Sequence, residues 1–217
     1  VMSMKEGVSV NFFTEGAYTL KTPSGKKITL SQQTDYPVSG NIVLSLAMEA
    51  PEEMTVRVRI PEWSRQITLK VNGEAVAVTP GEYAVLKRKW SSKDMISLQL
   101  DMRGRVITAG GDHSFAAIKR GPLVLARDTR LPGQDLGTTI TPVKDKEGYI
   151  VLTPANASAD NIWVQYQAAF FPEFYKDATE AQQPAQITLC DYASAGNGKT
   201  HSAFQVWMPQ LYDPRKH

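Results

Sequence analysis

Few residues in this 217-residue sequence have types and spacing that could do chemistry. Cys190 is the sole thiol and follows Ile187-Thr188-Leu189 on an apparent strand, with no second cysteine and no histidine nearby. A metal site needs three or four converging ligands, and an activated thiolate needs a positive neighbour. Cys190 therefore reads as a buried, inert residue. His113 and His201 flank strands in loops, and His217 is terminal. None has ligand spacing around it, so no metal site is expected. Glycoside hydrolysis would need two acids roughly 5–10 Å apart. The acidic candidates Glu52, Glu53, Asp112 and Asp145 fall in expected surface loops, where carboxylates are simply solvated. No catalytic residue is assigned.

Aromatic side chains carry the stronger signal. Trp163, Tyr166, Phe170, Phe171, Phe174 and Tyr175 crowd one stretch. Sugar rings present apolar faces that stack on aromatic rings, so Trp163, Tyr166, Phe174 and Tyr175 are candidate carbohydrate contacts. The alternative is that they pack against a core or another domain. Trp63 and Trp90 sit at strand ends and suit a core or an interface.

The elements that would position these residues are strands. Ile42, Leu44, Leu46 and Met48 alternate with polar or small residues, as do Val56, Val58 and Ile60. Ile67, Leu69 and Val71 repeat the pattern, followed by Ile96, Leu98 and Leu100. This period of two marks half-buried antiparallel strands. Asn72-Gly73 is a hairpin signal, because both turn positions favour positive φ. Ser24-Gly25 and Pro80-Gly81 punctuate other strands, and turns recur every 8–12 residues, which favours a sandwich or barrel. The one helical candidate, Pro172 to Gln182, has apolar residues at mixed spacing. In Arg120-Gly121-Pro122, Pro122 marks an edge or bulge, which Gly121 can accommodate.

The expected fold is all-β, with two antiparallel β-sandwich (jelly-roll-like) units in tandem. The first covers residues 1–104 and the second 105–202. A closing strand near 203–209 is expected to return to the first unit, making the second an insertion. A chain of this size buries roughly 70% of its unfolded surface. The net charge of +2 gives no electrostatic reason to expect nucleic acid or an anionic membrane as partner. A single cysteine excludes an internal disulfide but leaves periplasmic and extracellular settings open. The opening at Val1, already strand-like, reads as a cut inside a longer polypeptide.

Val58-Arg59-Ile60-Pro61-Glu62-Trp63-Ser64 followed by Leu69-Lys70-Val71-Asn72-Gly73 resembles strands behind the catalytic domain in glycoside hydrolase family 127. The type activity of that family is β-L-arabinofuranosidase. Val10-Asn11-Phe12-Phe13, Thr34-Asp35-Tyr36-Pro37 and Lys119-Arg120-Gly121-Pro122-Leu123-Val124 resemble further family segments in the same order. So does the ending, Asp191-Tyr192-Ala193 through Val206-Trp207-Met208-Pro209. The resemblance implies that the chemistry, including a cysteine nucleophile and a zinc-thiolate cluster, lies in a preceding (α/α)6 barrel. This chain then needs no cofactor of its own, and zinc belongs to the barrel.

Three roles follow: an accessory region that braces the barrel and contacts glycan, an autonomous carbohydrate-binding module, or a structural or oligomer-forming sandwich. Under the first, Phe12, Phe13, Tyr36 and Trp63, which lie where turns are expected, form the interface with the barrel. The competing expectation is that these four complete the sandwich's own core.

Overall fold

A computed structural model describes residues 1–109, 112–132, 135–156, 160–172, 183–198 and 201–210. All regular structure among them is strand. The chain divides into two units, Val1–Met102 and Arg103–His217.

The first unit is a sandwich of two sheets. One sheet contains β1 (Met2–Met4), β2 (Gly7–Val10), β6 (Glu52–Arg59) and β9 (Tyr83–Trp90), in that order. The other contains β3 (Gly16–Lys21), β4 (Lys27–Gln33), β5 (Asn41–Met48), β10 (Met95–Gln99), β7 (Thr68–Val71) and β8 (Glu74–Val76). Their registers put apolar residues into rows: Leu44 opposite Ile96 opposite Val71, and Ile42 opposite Leu98 opposite Leu69. Met54, Val56, Val58, Leu86 and Trp90 from the first sheet meet these rows in one continuous core. Trp90 is fully buried and donates its indole N–H to the Met54 carbonyl at 3.1 Å, so no polar group is stranded by its burial. Asn72 and Gly73 take φ of 52° and 89°, closing the β7–β8 hairpin as the dipeptide foretells.

Two features depart from expectation. β2 and β6 pair in parallel, with Val8 opposite Val56 and Val10 opposite Val58. The chain leaves β2, builds β3 to β5 in the other sheet, and returns; such a long crossover is what parallel neighbours require. In addition, Glu52 and Glu53 begin β6 rather than lying in a loop.

The second unit is one branched ten-stranded sheet. Its main path runs β14 (Ile140–Pro142), β17 (Gln165–Pro172), β18 (Ala185–Asp191), β13 (Leu123–Asp128), β12 (Asp112–Arg120), β11 (Gly104–Ala109) and β15 (Tyr149–Ile150). β16 (Thr153–Ala155) joins β17, β19 (Phe204–Gln205) joins β13, and β20 (Met208–Pro209) joins β12. Branching arises because β13 pairs with β12 along its first half and with β19 at Arg127 and Asp128. Ile118, Leu125, Tyr166, Ala168, Phe170 and Leu189 form the core.

The closing strands do not return to the first unit. Phe204 pairs with Asp128, and Met208 pairs with Ala116, its side chain buried in the second core. Burying that thioether among Ile118 and Phe170 is the apolar gain that holds the ending here. The two units therefore follow each other without insertion. The helical candidate Pro172 to Gln182 falls, after Pro172, outside the described residues.

Candidate functional site

Phe12, Phe13, Tyr36 and Trp63 gather at one end of the first sandwich. Phe12 and Phe13 follow the C-terminal end of β2, and Trp63 follows the C-terminal end of its parallel neighbour β6. Tyr36 lies between β4 and β5, and two contacts tie its loop to the same end. The Phe13 and Tyr36 rings meet edge to face with centroids 5.6 Å apart and planes at 79°. The Gln32 amide at the end of β4 donates to the Phe12 carbonyl at 3.3 Å.

Burial divides the four. Phe13 is buried, Tyr36 and Trp63 are half-buried against the core, and Phe12 is 71% exposed. Burial pushes the Tyr36 phenol pKa up, against an opposing pull from Arg59. Beside Phe12, Tyr83 donates its hydroxyl to Asn11 Oδ1 at 3.1 Å, while Arg57 and Arg59 point to solvent. This end thus carries one large exposed ring, Phe12, next in sequence to the Phe13–Tyr36 pair, with Arg59 close enough to act on the Tyr36 phenol.

Of the four candidate carbohydrate contacts, the structure describes Tyr166 and Trp163. Tyr166 is buried in the second core with the Arg120 guanidinium 4.8 Å from its ring centroid, so it offers no free face to a sugar. Trp163 is exposed, its backbone N–H held by Ser194 Oγ at 3.0 Å. Phe174 and Tyr175 lie outside the described residues.

A different set of aromatics does converge. Tyr192, Phe204 and Trp207 are all exposed around a groove of about 630 Å³ in the second unit. Tyr192 and Phe204 lie 5.8 Å apart at 52°. These residues are spread over sixteen positions, and β-pairing assembles them: Tyr192 donates its backbone N–H to Val124, and Phe204 pairs next to Arg127. In the sequence Tyr192 and Phe204 sit among small or polar neighbours, whereas Trp207 lies between Val206 and Met208.

Cys190 is fully buried beside Asp128 and Asp191. Burial, then those two carboxylates, push its thiol up to about 12, which leaves it protonated at neutral pH. Its neighbours form a polar brace. Asp191 accepts from the Ser194 backbone N–H and hydroxyl and from the Val164 N–H, and Asp128 accepts from Arg130 and the Gly196 N–H. Asp145, placed in a turn as expected, accepts from the Glu147 and Tyr149 N–H groups. Among the described residues, no three His, Cys, Asp or Glu side chains are placed to hold a metal ion.

Residues 7–102 match the family model of the GH127 β-L-arabinofuranosidase middle domain. Among solved structures, a GH127 β-L-arabinofuranosidase from Geobacillus stearothermophilus T6 aligns with a TM-score of 0.79 at 20% identity, over 97% of this chain and 34% of that one. A glycoside hydrolase aligns at 0.74 with 26% identity, over 95% and 36% of the two chains. A GH127 β-arabinofuranosidase aligns at 0.76 with 24% identity, over 95% and 35%. No curated protein sequence matches the chain.

Fold and matches together define a β-sandwich region of the kind found within larger glycoside hydrolases. Within that class, residues 7–102 resemble the middle domain of glycoside hydrolase family 127. It spans about a third of the length of the solved structures it matches.

Proposed function

We propose that this chain is the non-catalytic accessory region of a β-L-arabinofuranosidase-type glycoside hydrolase, and that its first sandwich braces an (α/α)6 catalytic barrel of the same polypeptide. The observation that carries this reading is Phe12, 71% exposed next to Phe13, whose ring meets Tyr36 edge to face at one end of the sandwich. A large apolar ring held out on an ordered loop suits a neighbour that buries it, because covering it removes apolar area from water. Contacts between domains of one chain bury on the order of 600–1,500 Å², enough to take in Trp63 and Tyr36 as well. Chemistry, including any zinc-bound thiolate, belongs to the barrel in this reading. The described residues supply a protonated buried thiol and carboxylates already committed to backbone N–H groups.

The test is Phe12→Asp in the full-length enzyme. Reduced thermal stability and reduced release of L-arabinose from a β-L-arabinofuranoside are expected, with no change in the stability of the present chain alone. Unchanged behaviour of the full-length variant rules out this docking mode. Release of L-arabinose by the present chain on its own rules out the accessory assignment.

A further inference from the structure

Two Asn-Gly dipeptides occur in the chain, Asn72-Gly73 and Asn197-Gly198. Asparagine before glycine is open to spontaneous deamidation, because glycine has no Cβ to keep its nitrogen away from the preceding side chain. We infer that Asn197 is a site of spontaneous deamidation in the folded chain, and that the fold shuts the same reaction down at Asn72. The step is an intramolecular substitution. The Gly198 nitrogen gives up its proton and attacks Asn197 Cγ. The new C–N bond closes a succinimide ring, the Cγ–Nδ2 bond breaks, and ammonia leaves with that proton. Water then opens the ring at one carbonyl or the other, leaving aspartate or isoaspartate.

Exposure does not separate the two asparagines, since both are exposed; hydrogen bonding does. Asn72 Nδ2 donates to Asp94 Oδ1 at 2.6 Å, and Asn72 Oδ1 accepts from the Met95 N–H at 2.9 Å. The Asn72 N–H donates to the Met95 carbonyl at 2.9 Å, so backbone and side chain are both clamped to the start of β10. Asp94 is itself buried and fixed by the Ser91 N–H at 2.6 Å and the Ser91 hydroxyl at 3.0 Å. Cyclisation at Asn72 must break both side-chain bonds before Cγ can turn to Gly73. The Asn197 side-chain amide, by contrast, has no hydrogen-bond partner among the described residues; its backbone N–H alone is held, by the Ser194 carbonyl at 3.2 Å. Arg130 lies alongside, where a Cβ on Gly198 would meet its Nη1 at 3.2 Å. A guanidinium there favours the deprotonated nitrogen that attacks, and gives the product carboxylate a cation to face. The Gly196 N–H on Asp128 Oδ2 at 2.8 Å and the Ala203 N–H on Thr129 Oγ1 at 3.1 Å anchor the chain on either side of Asn197. Isoaspartate adds a backbone carbon between those anchors.

The experiment is incubation of the full 217-residue chain at about pH 8, native and unfolded in guanidinium, with the replacement of ammonia by water followed by mass spectrometry of tryptic peptides. Cleavage after lysine gives peptides 71–87 and 177–199, and each holds a single asparagine. Asn197 in the native chain should convert within about threefold of its unfolded rate, while folding should slow Asn72 about tenfold or more, the factor that one retained hydrogen bond supplies. Asn197→Gln should abolish the change in peptide 177–199 and leave peptide 71–87 as it was. Asp94→Ala should release Asn72 and raise its native rate about tenfold. The native-to-unfolded ratios in the unsubstituted chain decide the matter even where Asp94→Ala does not fold. Asn72 converting as fast as Asn197 in the native chain overturns the inference, as does an Asn197 that folding slows about tenfold or more.

Discussion

Arg130 grips Asp128 at two points, Nε to Oδ1 at 3.0 Å and an Nη to Oδ2 at 2.7 Å, with the carboxylate fully buried and the guanidinium nearly so. The same guanidinium donates to the Asp160 and Ser194 carbonyls, so it ties three loops of the second unit together. Removing one partner of a buried pair leaves the other charge uncompensated, at about 3–5 kcal/mol. Arg130→Met should lower the unfolding free energy of the second unit by about that amount, while native-state hydrogen exchange in β5, β6 and β10 stays unchanged. A loss below about 1 kcal/mol would mean that the pair contributes no more than an exposed one.

Acid should weaken the same unit. Burial acts to raise the Asp128 pKa, but hydrogen bonds from the Arg130 side chain and from the Gly196 and Arg130 N–H groups outweigh it and hold the carboxyl below its usual value. A folded-state pKa depressed below the unfolded value of about 3.9 contributes stability that is present above that value. The contribution is lost as pH falls through the folded value. Urea unfolding between pH 6 and pH 2 should show the second unit weakening below about pH 4, with a shallower acid limb in Asp128→Asn. An identical acid limb in that variant would place the effect on other carboxylates.

Cys190 gives a chemical readout of the fold. A thiol pushed up to about 12, from 9.0 when exposed, carries roughly a thousandth of the thiolate at a given pH below both values. Iodoacetamide at pH 8 should label the native chain far more slowly than the urea-unfolded chain, read by mass spectrometry. Comparable rates in the two states would contradict the burial of this strand.

The first unit was largely legible in its sequence because its strands are amphipathic and its turns local. Leu44, Ile96 and Leu98 alternate cleanly, and Asn72-Gly73 can close little else. The parallel β2–β6 pairing left no local mark, since it depends on where the chain returns after three intervening strands. Tyr166 was readable but outweighed. It alternates with Ala168 and Phe170, all buried on β17, and that period of two places it in the core whatever aromatics cluster nearby. Tyr192, Phe204 and Trp207 become neighbours only through the pairing of β13 with β19, so no spacing rule could have joined them. The Phe12 loop stands between these cases, since its aromatics at an expected turn were visible while the split between buried Phe13 and exposed Phe12 was not.

Gly7 controls how closely β2 can approach β6, and through it the loop that presents Phe12. Its φ is +150°, and a Cβ built on it would lie 1.9 Å from the Thr55 carbonyl oxygen, a backbone atom with no room to yield. Thr55 cannot retreat without disturbing its own ladder to Lys87 on β9 and the Val8–Val56 row in the core. Gly7→Ala should therefore separate β2 from β6 and destabilise the first unit by more than about 2 kcal/mol, combining backbone strain with lost core packing. Gly25→Ala is the matched control, because Gly25 also has positive φ, +83°, but a Cβ there meets nothing within 4 Å. Its loss should be confined to strain, about 1–2 kcal/mol. Hydrogen exchange should further show faster opening of the Val8 and Val10 amides in Gly7→Ala. Equal losses in the two variants, with Val8 and Val10 still protected, would show that the close approach of β2 to β6 is not what orders that end of the sandwich.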